Sequence, residues 1–205
     1  MSTAGVIQRG AKPAVFLLCL TPAALTAYYF FTGGLSFNPI DDVTDISGRW
    51  TLRFLLITLA VTPVRKVTGF NVLARYRRML GLFAFFYAMI HVSMHAVFNF
   101  NFDIQAVIRD IPQRPFITVG FLSWITMLPL AITSTKGWIR RLGGRRWRAL
   151  HRLVYVSGIA GTIHYFWNYK VAEPGPLLYI LILLVLLGYR LLGRLRGPAP
   201  PAPAS

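Results

Sequence analysis

The sequence predicts an all-α integral membrane protein: a bundle of six transmembrane helices with both termini in the cytoplasm. Three observations lead there. Hydrophobic residues make up 55% of the chain and mean hydropathy is +0.54, more apolar than an ordinary soluble domain. These residues come in runs close to the roughly 20 that cross a hydrocarbon core about 30 Å thick. The 22 Lys and Arg and the six Asp and Glu segregate between alternate connections, which sets the orientation.

In chain order, the first run, residues 14–31, follows Arg9 and Lys12 and is rich in small residues at 24–27, the outline of a signal peptide. It continues through Tyr28, Tyr29, Phe30 and Phe31, too long and aromatic for a cleaved segment, and is expected to remain as an anchor. The second, 50–64, is short and carries Arg53 near its start, expected to snorkel outward. The third, 79–98, bears a stripe of Phe83, Phe85, Phe86 and Tyr87 suited to lipid contact or packing. The fourth is 116–134. The fifth, 149–167, contains Ser157 and Gly158, a place for a bend, and the sixth is 176–192. The longest connections, 33–48 and 99–115, read as connectors or short caps, so no soluble domain stands alone. This divides the chain into a cytoplasmic N-terminus (1–13), a transmembrane domain (14–194) and a cytoplasmic tail (195–205) whose PAPPAPAS end reads as disordered.

With the N-terminus inside, seventeen of the 22 basic residues fall in cytoplasmic segments; Arg49, Arg53, Arg109, Arg114 and Lys170 do not. All six acids (Asp41, Asp42, Asp45, Asp103, Asp110 and Glu173) fall outside with those five. The net charge of +16 is therefore spread over short connections, a topology signal, and no nucleic-acid partner is expected. Cys19 is the lone cysteine, which rules out a disulfide within the chain and a Cys-based cluster.

All four histidines, His91, His95, His151 and His164, lie on the third and fifth runs. An ionisable group inside a membrane is costly and marks a functional site by default. Two helices that each supply an imidazole at similar depth suit the axial positions of a b-type haem. Depth leaves the partner of His164 open. Counted from Arg78 at ~1.5 Å per residue, His91 matches better; counted down from Asn99 and Asn168, His95 does. His151 sits at the cytoplasmic mouth, about 20 Å below His164, with no histidine opposite on the third run. Plainer readings remain: a histidine that only hydrogen-bonds across helices, or an i, i+4 metal pair of His91 and His95 with no carboxylate or Cys nearby. The run 136–148, KGWIRRLGGRRWR, is denser in charge than topology requires and suits an anionic cofactor such as a flavin phosphate, or anionic lipid.

Four stretches carry a family resemblance: RRMLGLFAFFYAMIH (77–91), LPLAITST (128–135), RWRALHRLVY (146–155) and IHYFW (163–167). Together they resemble the haem-binding membrane subunits of the bacterial methionine sulfoxide reductase system, part of a wider ferric-reductase-like group that includes the NADPH oxidases. The resemblance runs from about Lys12 to Arg194. It implies haem b and FMN as cofactors and a bacterial inner-membrane location. It also implies electron delivery to a periplasmic, molybdopterin-containing catalytic subunit that reduces methionine sulfoxide in oxidised proteins. His91 and His164 match the family's haem histidines and His151 a third family histidine, a possible inner-side cofactor contact; His95 lies outside the pattern. The oxidases resemble a four-histidine, two-haem ladder, which the missing inner partner on the third run puts in doubt here. No G-x-G-x-x-G dinucleotide motif is present, so electrons are expected from the quinol pool or a soluble flavin reductase. Arg77, Arg78, Arg145, Arg146 and Arg148 are the expected FMN phosphate contacts. No nucleophile or acid–base pair is evident, so the sulfoxide chemistry is expected in the partner, docked on Asp41–Asp45 and the 99–115 connection. The alternatives are a quinol-linked cytochrome b or metal-ion reductase with another acceptor, and a non-redox transporter or assembly factor.

Overall fold

The computed structural model describes residues 3–168 and 174–195, with side chains for 11–168, 175–193 and 195. The side chains of Arg9, Lys170, Glu173, Arg194 and Arg196, and the 198–205 tail, lie outside the described residues. Eight α-helices form: α1 Thr3–Thr32, α2 Pro39–Thr68, α3 Arg77–Phe100, α4 Ile104–Gln113, α5 Pro115–Ile132, α6 Lys136–Leu150, α7 Leu153–Asn168 and α8 Pro174–Leu195, with a 3₁₀ turn at Asn71–Arg75. Four stretches are long and apolar enough to cross a membrane: Ala11–Thr32, Arg77–Phe100, Pro115–Ile132 and Gly175–Gly193.

The expected short second run is the middle of a 30-residue helix. Pro39 opens α2, Asp41 and Asp42 occupy its first turn, Arg65 and Lys66 its last, and Gly69 closes it at φ 75° with its N–H on the Arg65 carbonyl. Each choice suits the helix dipole and its caps. The 99–115 connection contains a helix, and so does the basic stretch between the fourth and fifth runs. Asp103 caps α4 by accepting from the Ala106 N–H (3.0 Å), and Thr135 caps α6 by accepting from the Trp138 N–H (3.3 Å). α6 bends at Gly143, whose φ of 71° only glycine adopts readily. The chain breaks at His151 and Arg152, so α7 begins at Leu153; Ser157 and Gly158 are packing residues inside an unbroken helix, not a bend.

α2 lies along α3 and α5 along α7; the pairs meet through α3–α5 and α2–α7, with α8 against α2 and α7, and α1 against α2 and α3. α2 supplies both core clusters. Phe54 and Leu55 join Cys19, Phe83, Ala84, Tyr87, Ala88 and Met127, while Leu52, Leu56 and Leu59 join Leu183 and Leu186 of α8. The aromatic stripe of α3 splits: Phe83 and Tyr87 stack on Phe54 inside, and Phe86 points outward. Between α5 and α7 small residues allow a close approach. There Ser123 Oγ donates to the Ser157 carbonyl (2.9 Å), and the hydroxyls of Thr126 and Ser157 meet at 2.7 Å.

Arg53 does not reach outward as expected. Its Nε donates to Tyr179 Oη on α8 (2.8 Å), and its guanidinium lies 4.7 Å over the Trp50 ring. An aromatic face and a phenol thus hold the charge inside the bundle.

Prolines inside helices vacate carbonyls and loosen the ladder, and two long side chains repair the damage. Beside Pro22, Tyr87 Oη accepts from the Ala23 N–H (3.0 Å) and donates to the Cys19 carbonyl (2.8 Å), which pins α1 to α3. Beside Pro63, the Leu59 carbonyl has lost its intrahelical donor and accepts from Arg190 of α8 instead (2.5 Å). Removing the buried hydroxyl should leave α1 backbone groups unpaired at a cost of about 1–3 kcal/mol. Tyr87→Phe is therefore expected to unfold at lower temperature in detergent than Phe86→Leu, which alters the outward-facing neighbour. Equal midpoints would show that the α1 ladder closes without the hydroxyl.

Candidate cofactor site

The two helix pairs each present one imidazole, and they do it in the same way. On the α2–α3 pair, His91 Nδ1 lies 2.8 Å from the Thr44 carbonyl oxygen. On the α5–α7 pair, His164 Nδ1 lies 2.7 Å from the Phe116 carbonyl oxygen. A carbonyl only accepts, so both rings carry a proton on Nδ1, and in the neutral imidazole that leaves Nε2 as the metal-binding nitrogen. Four residues beyond each carbonyl stands a glycine, Gly48 on α2 and Gly120 on α5, and the imidazole lies against it. A Cβ at Gly48 would sit 2.9 Å from His91 Nδ1, and one at Gly120 2.7 Å from His164 Nδ1. Only the smallest residue leaves the ring room to reach helix backbone.

The two rings face each other with centroids 6.1 Å apart and planes at 79°. Imidazoles that share one metal ion keep centroids about 6 Å apart, from two metal–nitrogen bonds of ~2 Å and two half-rings of ~1.1 Å. Among the described residues no hydrogen bond reaches either Nε2. The pair is therefore oriented and spaced in a way that suits two imidazoles on one metal ion. Among the described residues no three His, Cys, Asp or Glu side chains gather, so a site with three or more protein ligands is not available to them.

The other expected residues stand elsewhere. His95 Nδ1 bonds Asn99 Nδ2 (2.8 Å) and its ring meets Phe100 edge-on. His151 caps α6, stacks on Trp147 at 3.9 Å and places Nε2 3.1 Å from Thr133 Oγ1, while Trp147 Nε1 donates to the Thr133 carbonyl (3.0 Å). This knot ties α6 to the end of α5. Arg145, Arg146 and Arg148 are exposed on α6, and Arg78 is exposed at the start of α3. Arg77 interacts electrostatically with Arg65, Arg190 and Tyr155. At the opposite end of the bundle, Phe116 stacks on His164, the Arg114 guanidinium lies over Phe116, and Arg114 pairs with Asp110. The Ser36 N–H donates to Asp42 (2.7 Å) and holds that carboxyl below the usual carboxylate range, so it stays ionised in mild acid.

Residues 47–162 match the family described as "Ferric reductase like transmembrane component". The chain is also 47% identical over 192 residues to the protein-methionine-sulfoxide reductase heme-binding subunit MsrQ of Azospira oryzae, an alignment covering 92% of this chain and 82% of that protein. The chain belongs to this family. The MsrQ proteins of Ralstonia nicotianae and Xanthomonas campestris pv. campestris are 45% and 42% identical over 193 and 214 residues. Those alignments cover 92% and 98% of this chain, and 88% and 98% of the relatives. The ferric-reductase-like match holds Gly48, His91 and Gly120 and ends two residues short of His164. Together with the four apolar helices, it makes the chain a multi-pass membrane protein.

Sequence reasoning reached both histidines and missed the glycines. The available signal was an isolated glycine inside an apolar helical stretch, which marks close packing without naming what packs there. Gly120→Ala and Gly48→Ala should each push the imidazole off its carbonyl, an overpacking cost of about 1–3 kcal/mol. Gly81→Ala on α3 is the comparator, since its Cβ would meet only Thr58 Cγ2 at an ordinary 3.7 Å. The expected outcome is a lower unfolding midpoint and reduced haem content for the first two and neither change for the third. Full haem content in both cradle variants would show that the rings do not need that seat.

Proposed function

We propose that this chain is the haem-carrying electron-transfer subunit of a protein-methionine-sulfoxide reductase system, with His91 and His164 as the axial ligands of one haem b. The observation that carries the reading is the 6.1 Å separation of two imidazoles whose Nδ1 atoms are both tied to backbone carbonyls. The iron of a haem bound there supplies reversible one-electron chemistry. The chain does the rest: Gly48 and Gly120 seat the rings, the Thr44 and Phe116 carbonyls fix their orientation, and the packed helices keep water out. The name carried by the relatives, a heme-binding subunit, agrees with this donor set.

In this reading α2 and α7 also cross the bilayer, which makes six spans; their packing inside the bundle beside the four apolar helices supports counting them. α2 has aspartates at its first turns and Arg65 and Lys66 at its last. Its charges favour N-in, C-in topology in a bacterial inner membrane. The domain division stays as 1–13, 14–194 and 195–205. Electrons enter from the cytoplasmic side, from quinol or a soluble flavin reductase, with FMN held near Arg77, Arg78, Arg145, Arg146 and Arg148. Their exposure to the cytoplasmic face in this topology supports that role. His151 lies on the same side, and with its Nε2 engaged by Thr133 it serves by fixing α6 against α5. Electrons leave toward a periplasmic molybdopterin-containing catalytic subunit, where the sulfoxide is reduced. Asp41, Asp42, Asp45 and α4 form the docking edge, supported by their common place at the outer end.

The test is an oxidised and a dithionite-reduced absorption spectrum of the detergent-purified protein beside His91→Ala, His95→Ala and His164→Ala. A low-spin b-type spectrum should be lost in the His91 and His164 variants and kept in His95→Ala. A wild type that stays colourless after haem supplementation would sink the reading. Charge reversal at Asp41, Asp42 and Asp45 should slow re-oxidation of the reduced protein by the catalytic subunit several-fold at low salt. An unchanged rate would remove α2 from the docking edge.

A further inference from the structure

At the cytoplasmic ends of α2, α7 and α8 lies a cavity of about 370 Å³ lined by Thr62, Lys66, Tyr155, Tyr189, Arg190, Leu192 and Gly193. Its charge is of one sign. Lys66 and Arg190 line it, and Arg77 lies within electrostatic reach of both Arg65 and Arg190. Among the described residues no acid lines it: Asp41, Asp42 and Asp45 are at the other end of α2, Asp103 and Asp110 are at and on α4, and Glu173 precedes α8 in sequence. Cations at the last turn of α2 also complement its dipole, which accounts for Arg65 and Lys66. That does not account for Arg190, which α8 turns inward across the cavity wall.

Arg190 is built into its place. One terminal nitrogen donates to the Leu186 carbonyl (3.2 Å) and the other to the Leu59 carbonyl that Pro63 leaves free (2.5 Å). The Tyr155 ring lies 5.4 Å beneath the guanidinium. Thr62, Tyr155 and Tyr189 also line it, and each carries a hydroxyl able to donate to an oxyanion. A fixed guanidinium, an exposed ammonium and several hydroxyl-bearing side chains around one hollow, with no carboxylate lining it among the described residues, match the chemistry of a phosphate group.

We propose that this cavity is a phosphate-binding site, with Lys66 and Arg190 as the charged contacts and Thr62, Tyr155 and Tyr189 as hydroxyl donors. The phosphate has two possible sources on this face, a flavin mononucleotide or the headgroup of an anionic phospholipid. The flavin source rests on the proposed function and moves the phosphate contact from the α6 arginines to this hollow; the lipid source rests only on the chain's membrane location. The site differs from the α6 arginines: it shares Arg77 as a neighbour and excludes Arg145, Arg146 and Arg148.

The experiment uses the full chain in nanodiscs of phosphatidylcholine with and without phosphatidylglycerol. Wild type is compared with Lys66→Gln and Tyr189→Phe, both changes at exposed positions, and with Arg140→Gln on exposed α6 as the charge control. FMN and riboflavin are titrated by fluorescence quenching, and retained lipid is read by native mass spectrometry. Loss of one charge-assisted contact should weaken FMN about tenfold in Lys66→Gln, with riboflavin and Arg140→Gln unaffected; that outcome assigns the flavin phosphate. Unchanged FMN binding with phosphatidylglycerol retention reduced several-fold in Lys66→Gln assigns the headgroup. If neither ligand distinguishes Lys66→Gln from Arg140→Gln, the site is overturned. The haem Soret band, recorded on the same samples, reports separately on the electron-transfer reading.

Discussion

A side-chain N–H reaching a helix carbonyl is ordinarily blocked by the Cβ atoms that surround it. At Thr44 and Phe116 that barrier is lifted by a glycine one turn along, and an imidazole from the neighbouring helix lies against the bare backbone. Much else follows from that contact. It draws α2 against α3 and α5 against α7, it fixes a proton on Nδ1 of each ring, and it sets the two rings 6.1 Å apart. The same arrangement on two separate helix pairs gives the bundle a two-part logic, although the sequences of the two halves share no evident repeat.

Low polarity imposes the second constraint. In a bilayer an unpaired backbone group has no water to turn to, so each proline in a helix creates a debt that a side chain must settle. Tyr87 and Arg190 do so at Pro22 and Pro63, and both are also the groups that bind one helix to another. The helix most constrained in this way is α2, which feeds both core clusters, carries the Gly48 seat and ends beside the phosphate-shaped hollow. Its 30 residues link the two ends of the bundle through one continuous helix.

Much of this was legible in the sequence. Long apolar runs declared the helices of α1, α3, α5 and α8, and two histidines among aromatics marked the site, because hydrophobicity and a buried ionisable group are properties of single residues. What escaped was relational. Arg53 was expected to seek water because its partners, Trp50 and Tyr179, lie on two helices whose meeting the sequence does not state. Depth alone left the partner of His164 open and the resemblance pointed to His91; the carbonyl 47 positions away that seats the His91 ring is what no local pattern states. α4 and α6 escaped for a different reason: each is short, polar on one side and capped by Asp103 or Thr135, so neither offers a long apolar run. The same polar composition that suggested loops is what a helix at a membrane surface needs.

The carbonyls that hold the two imidazoles have a consequence for proton traffic. A backbone carbonyl is too weak a base to take a proton from Nδ1, and each Nδ1–H is sealed against one. Neither ring can hand its Nδ1 proton to that partner when the charge nearby changes. In the proposed reading, an electron held between the rings therefore draws no proton from Nδ1, and its energy is insensitive to pH on that account. In that reading the bundle separates electron movement from proton movement where the two could most easily have been joined.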